Sequence, residues 1–412
     1  TGLQREKCHF TNREERSPPA APQPRRPSTP AGPMADSSKG NFRARRLSLA
    51  DQDPAELAKQ AAGMSVTPDK PAGPGAGKMR ARRMSQSPEM GMKTAEKPPF
   101  LTDLVGTYSC HGVEPGRAAG QTSAKINQDR GCTVYPFAEP VDGTYQQALF
   151  CVYDGHGAQG DKASHFTMLQ VQQYLEAELA DGKKSVEECM KSAFLTTDDM
   201  LKKDKSIDAE LSGTTAVVML YRKTGTKHEC WLAWVGDSRA VVAKPKAGGY
   251  EAMNLTEDQK PDTPAEMARI KKAGGFVSPP EEEWGGPARV WLDAEMTLPG
   301  LAMARSIGDH LVKSVGVTAE PEVVHYAMDD MLGGFVVLAS DGVWEFIESD
   351  QCVQLCNKFI KKDSKYCAVG ATDAVTKLIE TSAAKWRQEE GDYRDDITAI
   401  LIILDPNLFD AE

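Results

Sequence analysis

Four apolar stretches of this chain each meet an aspartate at one end. Ala148–Tyr153 stops at Asp154-Gly155-His156-Gly157, and Phe335–Ala339 runs into Ser340-Asp341-Gly342. Cys230–Val235 runs into Gly236-Asp237-Ser238, and Asp395-Asp396 opens Ile397–Leu404. Short, nearly continuous apolar runs read as buried strands. Asp, His and Gly at their ends suit tight turns where backbone approaches something closely. A single aspartate so placed is ordinarily a turn residue. Four with the same placement can converge, because strand ends of a packed sheet meet in one cleft. Clustered carboxylates repel in a low dielectric. Hard divalent cations, which take oxygen ligands, neutralise such a cluster at least cost.

Charge is divided unevenly along the 412 residues. Residues 1–97 hold 18 Lys/Arg against 10 Asp/Glu (net +8), and the remainder holds 31 against 49 (net −18). The acidic part repels phosphates, so nucleic acid is excluded as its partner. It needs cations to accept an anionic ligand. No apolar run approaches the ~20 residues that cross a bilayer, so no membrane span is expected. The nine cysteines include no CxxC pair, and the N-terminus lacks an apolar secretory core. Reduced thiols and an intracellular place, cytoplasmic or nuclear, are expected. Cys352 and Cys356, four apart on a predicted helix, read as a core-facing stripe.

Two domains are expected. Residues 1–97 form a basic, proline-rich extension: residues 1–99 hold 14 of the 26 prolines, and the only aromatics before residue 98 are Phe10 and Phe42. So little apolar surface does not offset the entropy of ordering, and disorder is the expectation. A short amphipathic helix over 47–62 is the one element read there. Residues 98–412 form the globular part. Strands are expected over 105–110, 211–221 and 397–404, and helices over 160–180, 185–203, 349–361 and 366–386. Cys230–Val235 and Ala240–Lys244 flank Gly-Asp-Ser-Arg and read as an antiparallel hairpin. Thr263, Pro264 and Glu266 read as a capping box opening a helix that ends at Gly274 or Gly275. Ser349 reads as the cap of the next helix. Residues 276–300 have no clean period and read as a functional loop. Clustered helices between strands, together with that hairpin, indicate an α+β fold.

Six motifs occur in a fixed order: Asp154-Gly-His-Gly157, Ser212-Gly-Thr-Thr-Ala216, Gly236-Asp-Ser-Arg239, Arg305-Ser-Ile-Gly-Asp309, Ala339-Ser-Asp-Gly-Val-Trp344 and Asp395-Asp-Ile-Thr398. Over roughly residues 100–405 the chain resembles the metal-dependent protein serine/threonine phosphatases of type 2C. The resemblance implies two antiparallel β-sheets sandwiched between helical layers, with 276–300 as a mobile flap beside the active site. It implies hydrolysis of phosphoserine and phosphothreonine by metal-activated water, without a covalent intermediate. The cofactors implied are Mg²⁺ or Mn²⁺, two core ions and a weaker third. Asp154 is expected to bridge the core ions, with the Gly155 carbonyl on one and Asp341 and Asp395 on the other. Asp129 supports Asp154 or a bound water, Asp237 helps hold the third ion, and Asp396 stands one step behind.

His156 can give a proton to the leaving seryl or threonyl alkoxide. Arg305 reads either as a contact to substrate or flap or as a buried ion-pair residue. Two positions depart from the family pattern. Gln128 stands where the family often has Glu, which predicts weaker binding of one metal. Ala124 stands where the family has a phosphate-gripping Arg, with Lys125 one residue later to offer a point charge instead of a fork. These departures carry the alternative reading, a catalytically weak, phosphatase-fold regulatory binding module. Phosphorylated proteins are the expected substrates of a monomeric enzyme. Arg45-Arg-Leu-Ser48 and Arg82-Arg-Met-Ser85 resemble sites for a basophilic kinase acting on Ser48 and Ser85.

Overall fold

The computed structural model describes residue 100 and residues 103–116, 120–280, 286–297, 300–362 and 368–410. The basic extension, the 47–62 helix, Ser48, Ser85 and the proposed 97/98 boundary lie outside these residues. Ten long strands run, in chain order, β1 Val105–Cys110, β2 Arg130–Val134, β3 Gln146–Tyr153, β4 Ala216–Thr224, β5 Lys227–Val235, β6 Arg239–Lys246, β7 Gly249–Asn254, β8 Glu322–Ala327, β9 Phe335–Ala339 and β10 Ile397–Ile403. The longer helices are α1 Gly160–Asp181, α2 Val186–Lys203, α3 Pro264–Lys272, α4 Ser349–Asn357 and α5 Ala371–Glu390.

The strands form two five-stranded antiparallel sheets, ordered β1-β10-β9-β6-β7 and β8-β5-β4-β3-β2. Their apolar runs are continuous because both faces are covered. From β3, Ala148, Phe150 and Val152 enter the core shared with the other sheet, while Leu149, Cys151 and Tyr153 enter a second core. α1 and α2 fill that second core through Val171, Leu175, Met190 and Phe194. α4 and α5 cover the outer face of the first sheet through Cys352, Val353, Cys356, Val375 and Leu378. The expected stripe of Cys352 and Cys356 is therefore core. The fold is α+β, with two antiparallel sheets between helical layers. Each fully buried Phe or Leu contributes on the order of 1.5–3 kcal/mol. No helix among the described residues is long and apolar enough to cross a membrane.

Several local expectations change. β5 and β6 do not pair with each other: β5 lies between β4 and β8, β6 between β7 and β9. Gly236-Asp237-Ser238 carries the chain from one sheet to the other, with Gly236 at φ 96°. The hairpins are instead β4–β5 around Gly225-Thr226 and β6–β7 around Ala247-Gly248. The 211–221 strand breaks into Gly213–Thr214 and β4. α3 starts after Thr263, but Thr263 makes no side-chain cap bond, and Glu266 is drawn away to Arg305 and Arg269. α4 is preceded by Glu348 as its cap residue; the Ser349 hydroxyl donates to Asn254 Oδ1 at 2.7 Å instead. α4 stops at Asn357, short of 361, and α5 runs four residues beyond 386. Within 276–300, Phe276–Ser278 pairs with Arg289–Trp291. That hairpin contributes to a separate small core of Ile270, Val290, Leu301, Met303, Ala304, Val312 and Val317.

Candidate active site

The strand registers bring the acidic turns to one end of the sandwich. Arg130 pairs with Tyr153, so Asp129 and Asp154 lie side by side at that end of the second sheet. Val152 pairs with Val217 and Ala216 with Val235, which carries the Gly236-Asp237 turn to the same end. Arg239 pairs with Ala339 and Ala339 with Ala399, bringing Asp341 and Asp395-Asp396 there from the first sheet. Ser340 spans the two sheets. Its hydroxyl donates to Asp129 Oδ2 at 2.7 Å and accepts the Thr398 N–H at 3.0 Å.

Close backbone packing builds the central loop. A Cβ on Gly155 would lie 2.3 Å from the Gly160 carbonyl oxygen and 2.6 Å from that of Gln128, so only glycine fits. Gly155–His156, Gly213–Thr214 and Ile307–Gly308 form a small three-stranded sheet. It delivers Asp309 to His156, whose Nε2 lies 2.8 Å from Asp309 Oδ2. Burial works against the imidazolium, but the charge and hydrogen bond of Asp309, with the charges of Asp237 and Asp341, together outweigh it and hold the His156 pKa above its usual value. The Gln128 side-chain amide donates to the Gly157 carbonyl at 2.8 Å, so this departure from the family pattern serves the loop itself.

The carboxylates raise one another's pKa. Burial, then the charges of Asp129, Asp341, Asp395 and Asp237, push Asp154 well above the usual carboxylate range. Burial, then the charge of Asp396, push Asp129 up to about 8. Asp129 Oδ1 is buried with no hydrogen-bond partner. Such a cluster is stable as anions only with added positive charge. The donors are all oxygen, which fits hard divalent cations and disfavours zinc. Among the described residues, no three His, Cys, Asp or Glu side chains enclose a single ion by themselves. Magnesium-type ions keep several waters and take few protein ligands, so the donor set still fits.

Other predicted residues take specific positions. Asp396 accepts the backbone N–H groups of Gln128 and Gly112, which ties the first sheet to the Gln128-Asp129 segment. Asp237 pairs with Lys260. Lys125 Nζ lies 2.9 Å from Asp395 Oδ1. Burial opposes its charge, yet Asp395 holds the Lys125 pKa above its ordinary value. Arg305 takes the ion-pair alternative: its guanidinium reaches Glu266 at 2.6 Å and Glu322 at 2.8 Å. Two residues were not legible in the sequence. Asp309 closes the Arg305-Ser-Ile-Gly-Asp309 motif, but its role comes from its contact with His156. Lys260 carried no signal in the sequence.

An acidic, all-oxygen cluster thus stands at one end of a helix-covered double sheet. The family model described as "Protein phosphatase 2C" matches residues 118–389. A rice (Oryza sativa subsp. japonica) protein named "Probable protein phosphatase 2C 64" is 33% identical over 292 residues, 68% of this chain and 63% of the relative. An Arabidopsis thaliana protein named "Probable protein phosphatase 2C 35" is 34% identical over 300 residues, 68% of this chain and 78% of the relative. A solved structure, "Crystal structure of serine-threonine phosphatase 2C from Toxoplasma gondii", shares the fold at TM-score 0.58 and 20% identity, covering 75% of this chain and 98% of that one. This chain belongs to the protein phosphatase 2C family.

Proposed function

We propose that this protein is a metal-dependent protein serine/threonine phosphatase that hydrolyses phosphoserine and phosphothreonine with water and without a covalent intermediate. The observation that carries this reading is the position of Asp154, set among the charges of Asp129, Asp341, Asp395 and Asp237. Asp154, the Gly155 carbonyl, Asp341 and Asp395 are the groups to hold two Mg²⁺ or Mn²⁺ ions, with Asp237 toward a weaker third. When bound, these ions supply the positive charge the cluster needs and make water more acidic. Asp129 lies behind Asp154 and is fixed by Ser340. His156, paired with Asp309, is the group to give a proton to the leaving alkoxide. Phosphorylated proteins are the substrates, and an intracellular monomer is the form. Ser48 and Ser85 are sites for a basophilic kinase on their sequence alone.

The test is turnover of an aryl phosphate by the full chain. Activity is expected with Mn²⁺, lost on chelation and restored by fresh Mn²⁺. Asp341→Asn is expected to fold normally and lose orders of magnitude in rate, since its charge serves ions and not packing. Folded protein without metal-dependent turnover would overturn the reading.

A further inference from the structure

Lys125 is held in a built seat. Its backbone N–H donates to the Gly112 carbonyl at 3.0 Å. Its stem passes the empty side of Gly112, where a Cβ would stand 2.9 Å from the Lys125 Cδ. Its ammonium lies 2.9 Å from Asp395 Oδ1, 3.4 Å from the Tyr393 hydroxyl and 5.2 Å from the centre of the Tyr393 ring. The Tyr393 hydroxyl also reaches Asp395 Oδ2 at 3.4 Å. Only 16% of the lysine side chain is exposed. Lys125 is fixed at its backbone, stem and head, and its charge rests on a carboxylate that the proposed function gives to a divalent ion.

We propose that Lys125 is a tethered counter-ion of Asp395, which competes with the divalent cation for that carboxylate and thereby sets how tightly the cleft is loaded. The inference rests on the metal-dependent reading above. One carboxylate cannot serve an ammonium and a divalent ion at full strength. The ammonium is attached to the same chain, so it competes at high effective concentration. A divalent ion must displace it or share Asp395 with a like charge.

Isothermal titration of the full chain with Mn²⁺ tests this directly, without a turnover assay. Lys125→Met keeps the stem and removes the charge. It is expected to tighten Mn²⁺ binding by about tenfold, the scale on which a charge within ~4–6 Å shifts an ionic equilibrium. Lys125→Arg keeps the charge and is expected to leave the affinity near that of the parent. In an Asp395→Asn background, Lys125→Met is expected to change nothing, since its competitor's target is gone. If Lys125→Met does not fold, Lys125→Gln gives the same reading. Equal affinity for parent and neutral variants overturns the inference while the phosphatase reading stands. An equal gain in the Asp395→Asn background overturns it in favour of a general charge effect. A folded parent that binds no Mn²⁺ overturns both.

Discussion

Gly213 carries no side chain because a carboxylate fills the space where one would go. A Cβ there would lie 2.2 Å from Asp309 Oδ2, the oxygen that meets His156. Gly213→Ala is therefore expected to push Asp309 off the imidazole. Its kcat is expected to fall toward that of Asp309→Asn, within the ~10²–10⁴-fold that a general acid contributes, with little change in Mn²⁺ affinity. An alanine variant with parental kcat would show that Asp309 does not position His156. At this scale the sequence is readable where chemistry and turn coincide. Asp154, His156 and Asp341 stand at the ends of apolar runs, and that placement already grouped them in one cluster. Asp309 and Lys260 were not readable, because each takes its meaning from a partner distant in the chain. The Asp309 side chain meets His156 across 153 positions.

Among the elements, α3 shows how tertiary pairing overrides local rules. Thr263, Pro264 and Glu266 have the spacing of a capping box, but Glu266 is buried and bonded to Arg305, 39 residues away. A charge-assisted pair is stronger than a cap bond. Glu266 thus ties α3 to the segment leading into Asp309, and through Arg305 to Glu322 on β8. Burial raises the Glu266 pKa, but Arg305 and Arg269 together outweigh it, and the net shift is downward. A depressed glutamate stabilises the fold above its unfolded pKa, ~4.3, and that stability is lost as pH falls through the folded value. Glu266→Gln is expected to lower stability by about 1–3 kcal/mol at pH 7. The gap in Tm to the parent should be constant above about pH 5 and narrow below ~4.3. A gap that widens on acidification would mean Glu266 is not the charged partner of Arg305. The β5–β6 misreading has a related cause. Two apolar runs flanking a tight turn look the same whether they pair with each other or leave for different sheets, and only the remaining strands decide.

For the whole molecule, the α+β class followed from clustered helices between strands, and the double antiparallel sheet from the family resemblance, while sheet order followed from neither. Sheet order depends on pairings such as β1 with β10, which join residues nearly 300 positions apart. The described core begins at Phe100. A chain starting at Lys97 is therefore expected to keep the parental Tm and Mn²⁺-dependent turnover at high salt. The extension's +8 and the remainder's −18 predict a difference in rate or Mn²⁺ affinity between the two chains at low salt. That difference should shrink as salt rises, since exposed charges are screened within about 8–10 Å. Identical kinetics at low salt would leave the extension with no influence on the cleft.

The sandwich carries a further consequence in where its acids are anchored. Asp129 and Asp154 belong to one sheet, Asp341 and Asp395 to the other, and the Asp237 turn crosses between them. Any ion that draws donors from both sheets fastens two layers that are also joined by the shared apolar core and by hydrogen bonds such as Ser340 to Asp129. Its binding energy then counts toward cohesion as well as chemistry. A cleft arranged this way also acts as an alignment gauge: if one layer slides on the other, the donors separate and the grip on the ion loosens before the core is exposed.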